Sequence, residues 1–240
     1  MPKTKSGLLS KILKTFFHKL YHHFAWTYDA VAFFVSLGKW QSWVRNALQF
    51  LEGEKILELG YGPGHLQIDL AVNGYIPFGI DESMFMARQA QHRFTRRFSQ
   101  LNPDRPPRLV RAVAETLPFA DESFHSIVAT FPTEYISNPT TIIEIMRVVK
   151  PDGRLVILLS AQPMGKNLID KANLLLFRWT QQIPPQDIDF NSFILPFNQA
   201  GFSAEIKLVS IEKSELLYII STKPQIHPID PENAPKNPRF

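Results

Sequence analysis

The chain has 240 residues, no cysteine and a formal net charge of +4. That length suits one generous domain with a full core, and the missing cysteines exclude disulfides and thiolate metal sites. No run of about 18 apolar residues is uninterrupted, so no membrane-spanning helix is expected; no signal-peptide pattern opens the chain, and the reading is cytoplasmic.

The first segment, SGLLSKILKTFFHKLYHHF, sets Leu8, Leu9, Ile12, Leu13, Phe16, Phe17 and Leu20 at helical spacing, with Lys11, Lys14 and Lys19 toward the other side or its borders. An apolar face with a basic flank fits a helix lying in a membrane interface, so peripheral membrane contact through residues 6–24 is one expectation. Packing of that stripe onto the rest of the protein is the other. The aromatic-rich stretch that follows, YHHFAWTYDAVAFFVSLGKWQSW, either seals one face of a sheet or caps a site. His22 and His23 have no third ligand nearby, so no metal is predicted there.

From Lys55 the chain alternates. KILEL reads as a short buried strand, and GHLQIDLAVNG as a helix stopped by Gly74. IPFGI is a second strand. SMFMARQAQHRFTRRF then places Met86, Ala90, Phe94 and Phe98 on one helical face. Its arginines form a basic stretch that suits an anionic partner or a solvated helix face. RLVRAV and SIVATF are the third and fourth strands. NPTTIIEIMRVV is a helix capped by Asn138 with Pro139 in its first turn, and RLVILLS is the fifth strand after a PDG turn. Strands and helices alternating at this spacing imply a parallel sheet covered on both faces. An extra helical insertion is expected over about 163–186. SAEIKLVSI and SELLYIIST, separated by a polar turn, make an antiparallel hairpin. The boundaries are then 1–50 for amphipathic and cap helices, 51–222 for the main domain, and 223–240 for a proline-rich flexible tail.

Three glycines, Gly60, Gly62 and Gly64, crowd the passage from the first strand to its helix. Bare backbone there admits a ligand, and about 20 residues later Asp81 ends the second strand, where an acid accepts ribose hydroxyl protons. Together they argue for an adenosine-containing ligand. A dinucleotide site wants a small residue where this chain has His65, and a phosphate loop wants a Gly-Lys-Ser/Thr that is absent.

The segments ILELGYGPG, GIDESMFM, AETLPFADESFHSIVATF and IIEIMRVVKPDGRLVIL, in that order, resemble the class I S-adenosylmethionine-dependent methyltransferases, in their ubiquinone/menaquinone-biosynthesis-like, small-molecule branch. The resemblance covers roughly residues 21–160, and the hairpin by topology. It implies an α/β, Rossmann-like sheet, mostly parallel with a C-terminal antiparallel hairpin and helices on both faces. It implies S-adenosyl-L-methionine as cofactor and a small-molecule or amphipathic, lipid-like acceptor. Carried across by position, Glu58 would organise the glycine loop, Gly60, Tyr61, Gly62 and Gly64 would line the methionine moiety, and Asp81 would hold the ribose. Glu82 and Met86 would flank ribose or adenine, Ala114 and Glu115 would contact adenine, and Thr130 and Phe131 would end the fourth strand beneath the sulfonium. Tyr28 would face the cofactor from the cap. Relatives often carry an aspartate where this chain has Ala112-Val113-Ala114, so backbone or Glu115 must read the adenine.

Phe131-Pro132-Thr133-Glu134 stands where amine-methylating enzymes of nucleic-acid bases carry an Asn/Asp-Pro-Pro-aromatic tetrad. That departure, with no recognisable RNA-binding appendage, argues against a nucleic-acid partner. Glu134 is the one carboxylate that the topology sets near a transferring methyl, and is the base expected if the acceptor must lose a proton. Its bland reading is a surface acid. His65 reads as a packing or cofactor-side residue and His125 as structural. A non-catalytic module that binds S-adenosylmethionine or S-adenosylhomocysteine is the alternative to this reading, with a nucleic-acid methyltransferase, prompted by the basic residues, as a less favoured one.

Overall fold

The computed structural model describes residues 38–97, 106–164, 191–211 and 214–225. The expected membrane-binding segment, Tyr28 and most of the cap stretch, nearly all of the insertion and most of the proline-rich tail lie outside the described residues.

A short helix α1 (Trp40–Asn46) leads through a 3-10 turn into β1 (Lys55–Leu59), followed by α2 (His65–Val72), β2 (Ile76–Asp81), α3 (Met84–Arg97) and β3 (Arg108–Arg111). Then come β4 (Phe124–Thr130), α4 (Pro139–Val148), β5 (Val149–Pro163), α5 (Asn191–Gln199), β6 (Ser203–Ile211) and β7 (Ser214–Thr222). The sheet order is β3-β2-β1-β4-β5-β7-β6. The pairs among β1 to β5 are parallel, and β7 runs antiparallel to both β5 and β6. The chain order reverses between β1 and β4, which opens the crevice where sheets of this kind take ligands.

Strand alternation builds two cores. Leu57, Leu59, Ile127, Ala129, Leu155 and Ile157 face one way, onto Ile142, Ile145 and Val148 of α4 and Phe197 of α5. Ile56, Val128, Val156 and Leu158 face the other way, onto Trp43 and Val44 of α1 and Leu66 and Leu70 of α2. Successive residues of a strand point to opposite faces, so a strand buried on both reads as a continuous apolar run. Asn138 caps α4 as expected, its side chain accepting from the Thr140 N–H at 3.0 Å. At the outer edge β6 alternates exposed and half-buried residues, with Lys207 and Glu205 on the free strand.

Three details depart from the sequence reading. Helix α5 was not foreseen, since Pro196 lies inside it and proline disfavours helix interiors. Burial of Phe197 and Phe202 outweighs that preference. Strand β5 starts five residues earlier than RLVILLS, because a bulge with Asp152 at φ +59° lets the PDG segment remain in the strand. The hairpin is anchored one residue beyond its expected end: the Lys223 ammonium donates to the Met146 and Val149 carbonyls at the end of α4 (3.0 and 2.9 Å).

Candidate active site

The loop after β1 is closed by its own hydrogen bonds. The N–H groups of Gly60 and Tyr61 both donate to the Ile80 carbonyl (2.8 and 3.1 Å), and that of Gly64 donates to the Tyr61 carbonyl (3.0 Å). The Gly62 N–H donates to Asp81 Oδ2 at 2.9 Å, and Pro63 has none. Every backbone donor from Gly60 to Gly64 is therefore engaged or missing. A phosphate cradle needs such donors free, so the engaged loop adds to the spacing argument against a dinucleotide. Gly60, Gly62 and Gly64 all have positive φ, which sharply disfavours a side chain. A Cβ on Gly64 would press on Ala90 and Phe94, whereas one on Gly62 would meet nothing within 4 Å. Among the described residues, space stands open above Gly62.

Beneath the loop lie two buried carboxyls. Glu58, 2% exposed, accepts from Gln67 Nε2 at 2.9 Å; the same nitrogen donates to the Phe78 carbonyl at 3.0 Å. Burial holds the Glu58 carboxyl well above the usual range. Asp81, 5% exposed, accepts from the Ser83 N–H at 2.8 Å through its other oxygen. Its pKa is raised, burial outweighing those two N–H bonds. Each oxygen keeps a second lone-pair position for a hydroxyl donor. Ser83, whose Oγ accepts from the Met86 N–H at 3.3 Å, is the helix cap, so Asp81 is not needed in that role. Tyr61 lies across Gly79, its hydroxyl pushed up to about 12 by burial and then by Asp81 and Glu58. Gln67 was missed in the sequence, and its Oε1 is buried without a hydrogen-bond partner.

At the ends of β2 and β3, Glu82, Arg111, Ala112 and Val113 line a cleft of about 320 Å3. Arg111 donates to the Glu82 carbonyl at 2.8 Å. Of the expected adenine contacts, Glu82 lies here, while the Met86 and Ala114 side chains are buried. The Glu115 carboxylate is the acceptor for Asn138 Nδ2 at 3.4 Å. Ala112 and Val113, where relatives often carry an aspartate, line the cleft with Glu82 and Arg111. The segment is fixed from below: Arg147 donates to the Leu117 and Phe119 carbonyls, and Glu144 accepts the Leu117 N–H.

Arg93, grouped in the sequence with a basic surface, clamps the glycine loop: its Nε donates to the Pro63 carbonyl at 2.9 Å, and its Nη1 is 3.1 Å from His65 Nδ1. His125 sits at the opposite, amino end of β4, where it packs against Gly53 and accepts from the Lys55 N–H. After Thr130 the chain enters Phe131 at φ +50°, a conformation costly for a bulky residue. Its ring stacks on Trp40, centroids 4.2 Å apart. Glu134 is exposed at the start of the 3-10 turn Glu134–Ser137. Tyr135, also missed, donates from its hydroxyl to the Leu59 carbonyl at 3.2 Å. Among the described residues no group of three or more His, Cys, Asp or Glu is placed to hold a metal.

A doubly wound sheet with a bare glycine loop beside its reversal point and a buried acid at the end of the neighbouring strand is the arrangement of a nucleoside-binding domain. The family model "Methyltransferase domain" matches residues 57–157. Demethylmenaquinone methyltransferase of Beutenbergia cavernae is 33% identical over 134 residues, which cover 54% of this chain and 52% of that protein. The protein of that name from Tropheryma whipplei is 32% identical over 143 residues, covering 58% and 56%. The chain thus spans about half the length of the relatives it matches. A solved S-adenosylmethionine-dependent methyltransferase of Thermotoga maritima superposes with a TM-score of 0.58 at 17% identity, covering 85% of this chain and 98% of that one. Phosphoethanolamine N-methyltransferase 2 of Haemonchus contortus, in complex with S-adenosyl-L-methionine, does so with a TM-score of 0.56 at 15% identity, covering 78% and 53%. At these identities the solved structures share the fold alone. Residues 57–157 thus carry a methyltransferase domain, and its sheet is that of the S-adenosylmethionine-dependent methyltransferases it resembles.

Proposed function

We propose that the protein transfers the methyl group of S-adenosylmethionine to a small-molecule or lipid-like acceptor. The carrying observation is the glycine loop: its donors are engaged internally, its surface is bare at Gly62, and the Asp81 carboxylate stands beside it. Those features fit a nucleoside ligand with hydroxyls and no phosphate. When bound, the cofactor supplies a methyl already activated on a positive sulfonium. Asp81 would accept the ribose hydroxyl protons, Gly60 to Gly64 would admit close approach, and Ala112 and Val113 would flank the adenine. Glu58 and Gln67 pair with each other, and Gln67 ties its helix to β2 through the Phe78 carbonyl.

The residues near the methyl mainly orient. Thr130 and Phe131 end β4 at the crevice, and the ring of Phe131 with Trp40 supplies an apolar wall that excludes water. Glu134 would take the proton of an acceptor that releases one. The relatives named for demethylmenaquinone favour a hydroquinone-like ring as acceptor. The test is incubation of the full chain with methyl-labelled cofactor and a metabolite extract, followed by identification of the labelled product. Label in a lipid-extractable ring compound is expected. Cofactor binding with no labelled product would instead favour a non-catalytic binding module.

A further inference from the structure

The cleft at the ends of β2 and β3 has an uneven polar lining. Asp81 and Arg111 stand side by side in the parallel pair of those strands, so their side chains leave the same face of the sheet. Arg111 does not turn to that carboxylate. Its Nε donates to the Glu82 carbonyl at 2.8 Å, and among the described residues its two Nη atoms make no hydrogen bond. The guanidinium is therefore fixed in direction with donors to spare. Glu82, the other charged residue of the lining, is exposed, and its carboxylate has no hydrogen bond among the described residues. Ala112 and Val113 complete the lining without a side-chain acceptor, and the Glu82 carbonyl is already taken by Arg111.

We propose that Arg111 recognises the base of the cofactor through its ring nitrogens and π face, so that the site does not read the 6-amino group and accepts a 6-oxopurine nucleoside about as well. This rests on the methyltransferase reading above, in which the ribose lies on Asp81; the base on that ribose then falls in the cleft that begins at the next residue. A carboxylate selects adenine by accepting its amino protons. A guanidinium has donors only, so it pairs with ring nitrogens, which both purines present, and with the 6-oxygen, which adenine lacks. Its plane also stacks on either ring. The exposed Glu82 carboxylate exchanges water for an amine and gains little by it.

The test is calorimetric titration of the full chain with S-adenosylhomocysteine and with S-inosylhomocysteine, its 6-oxo counterpart. The two wild-type affinities are expected to differ by less than about fivefold. Arg111→Met keeps an apolar stem of similar reach and should weaken both ligands by about tenfold. Val113→Asp, at a residue 44% exposed, supplies the missing acceptor and should raise the preference for the adenosyl ligand by about tenfold. A wild-type preference of about fivefold or more for the adenosyl ligand overturns the proposal. So do unchanged affinities in Arg111→Met, or an unchanged preference in Val113→Asp. Binding of S-adenosylhomocysteine leaves the methyltransferase reading standing in each of those cases. Wild-type protein that binds neither ligand overturns that reading, and this one with it. A smaller folded fraction in a variant lowers the stoichiometry of both titrations and leaves the affinities intact.

Discussion

The loops after β1 and after β4 leave the same edge of the sheet on neighbouring strands, yet they are built by opposite means. The first is three glycines at positive φ with every available N–H engaged. The second begins with a bulky residue at positive φ, passes through an exposed Thr133 and Glu134, and is tied back by the Tyr135 hydroxyl. Removing side chains gives a rigid, bare surface that one ligand chemistry fits. Keeping them gives a surface whose shape is set by whichever side chains are there. The proposed function assigns the β1 loop to the cofactor and the β4 loop to the acceptor, in keeping with that division.

Gly62→Val should break the comparison most severely. Among the described residues nothing lies within 4 Å of a Cβ added there, so the fold should survive with about 1–2 kcal/mol of backbone strain. Cofactor affinity, measured by calorimetry, should fall by about 100-fold or more, since the side chain fills the open approach. Retained binding would mean that the glycine serves the turn alone. Asp81→Ala comes next, with an expected loss of about 1.5–3 kcal/mol in cofactor binding. Its Tm should fall too, because the Gly62 and Ser83 N–H groups lose their acceptor. Unchanged affinity with an intact fold would remove the central assignment.

Glu58 sharpens the comparison through pH. The unfolded chain releases this proton near the ordinary value of 4.5, while burial makes the folded state keep it to a higher pH. Folded protein therefore binds more protons in that window, and stability falls as pH rises above about 4.5, by at most about 1.4 kcal/mol per unit. Urea denaturation of wild type and Glu58→Gln between pH 5 and 7 should show this slope in the wild type as an excess over the variant. The raised pKa of Asp81 acts in the same direction in both proteins and cancels in the difference. Parallel curves would show that Glu58 ionises freely.

The smallest effect tests the strain in the β4 loop. At most positions alanine is more stabilising than glycine; at φ +50° the order should reverse. Phe131→Gly should then exceed Phe131→Ala in stability by about 1 kcal/mol, measured by urea denaturation. The usual order would mean that the loop relaxes when the Trp40 stack is lost.

Much of the fold was legible because it depends on local periodicity. Two-sided burial makes KILEL a continuous apolar run, and both hairpin strands, Ser203–Ile211 and Ser214–Thr222, begin and end where the sequence placed them. Gly60, Gly62 and Asp81 were legible for the same reason: positive φ and a strand-end acid leave marks in single positions. Roles that depend on partners far along the chain left no such mark. Arg93 reads as surface charge until α3 lays it on Pro63, 30 residues away. Gln67 reads as a polar helix residue until Glu58 and Phe78 enclose it. Tyr135 reads as one aromatic among many until the turn sets its hydroxyl on Leu59, 76 residues away. The sequence by itself determined the order of elements, the class and the bare loop, since backbone conformation and burial are set by near neighbours. Only the tertiary structure decided which side chains stand at the crevice, because that depends on how the β4 loop folds back across β1.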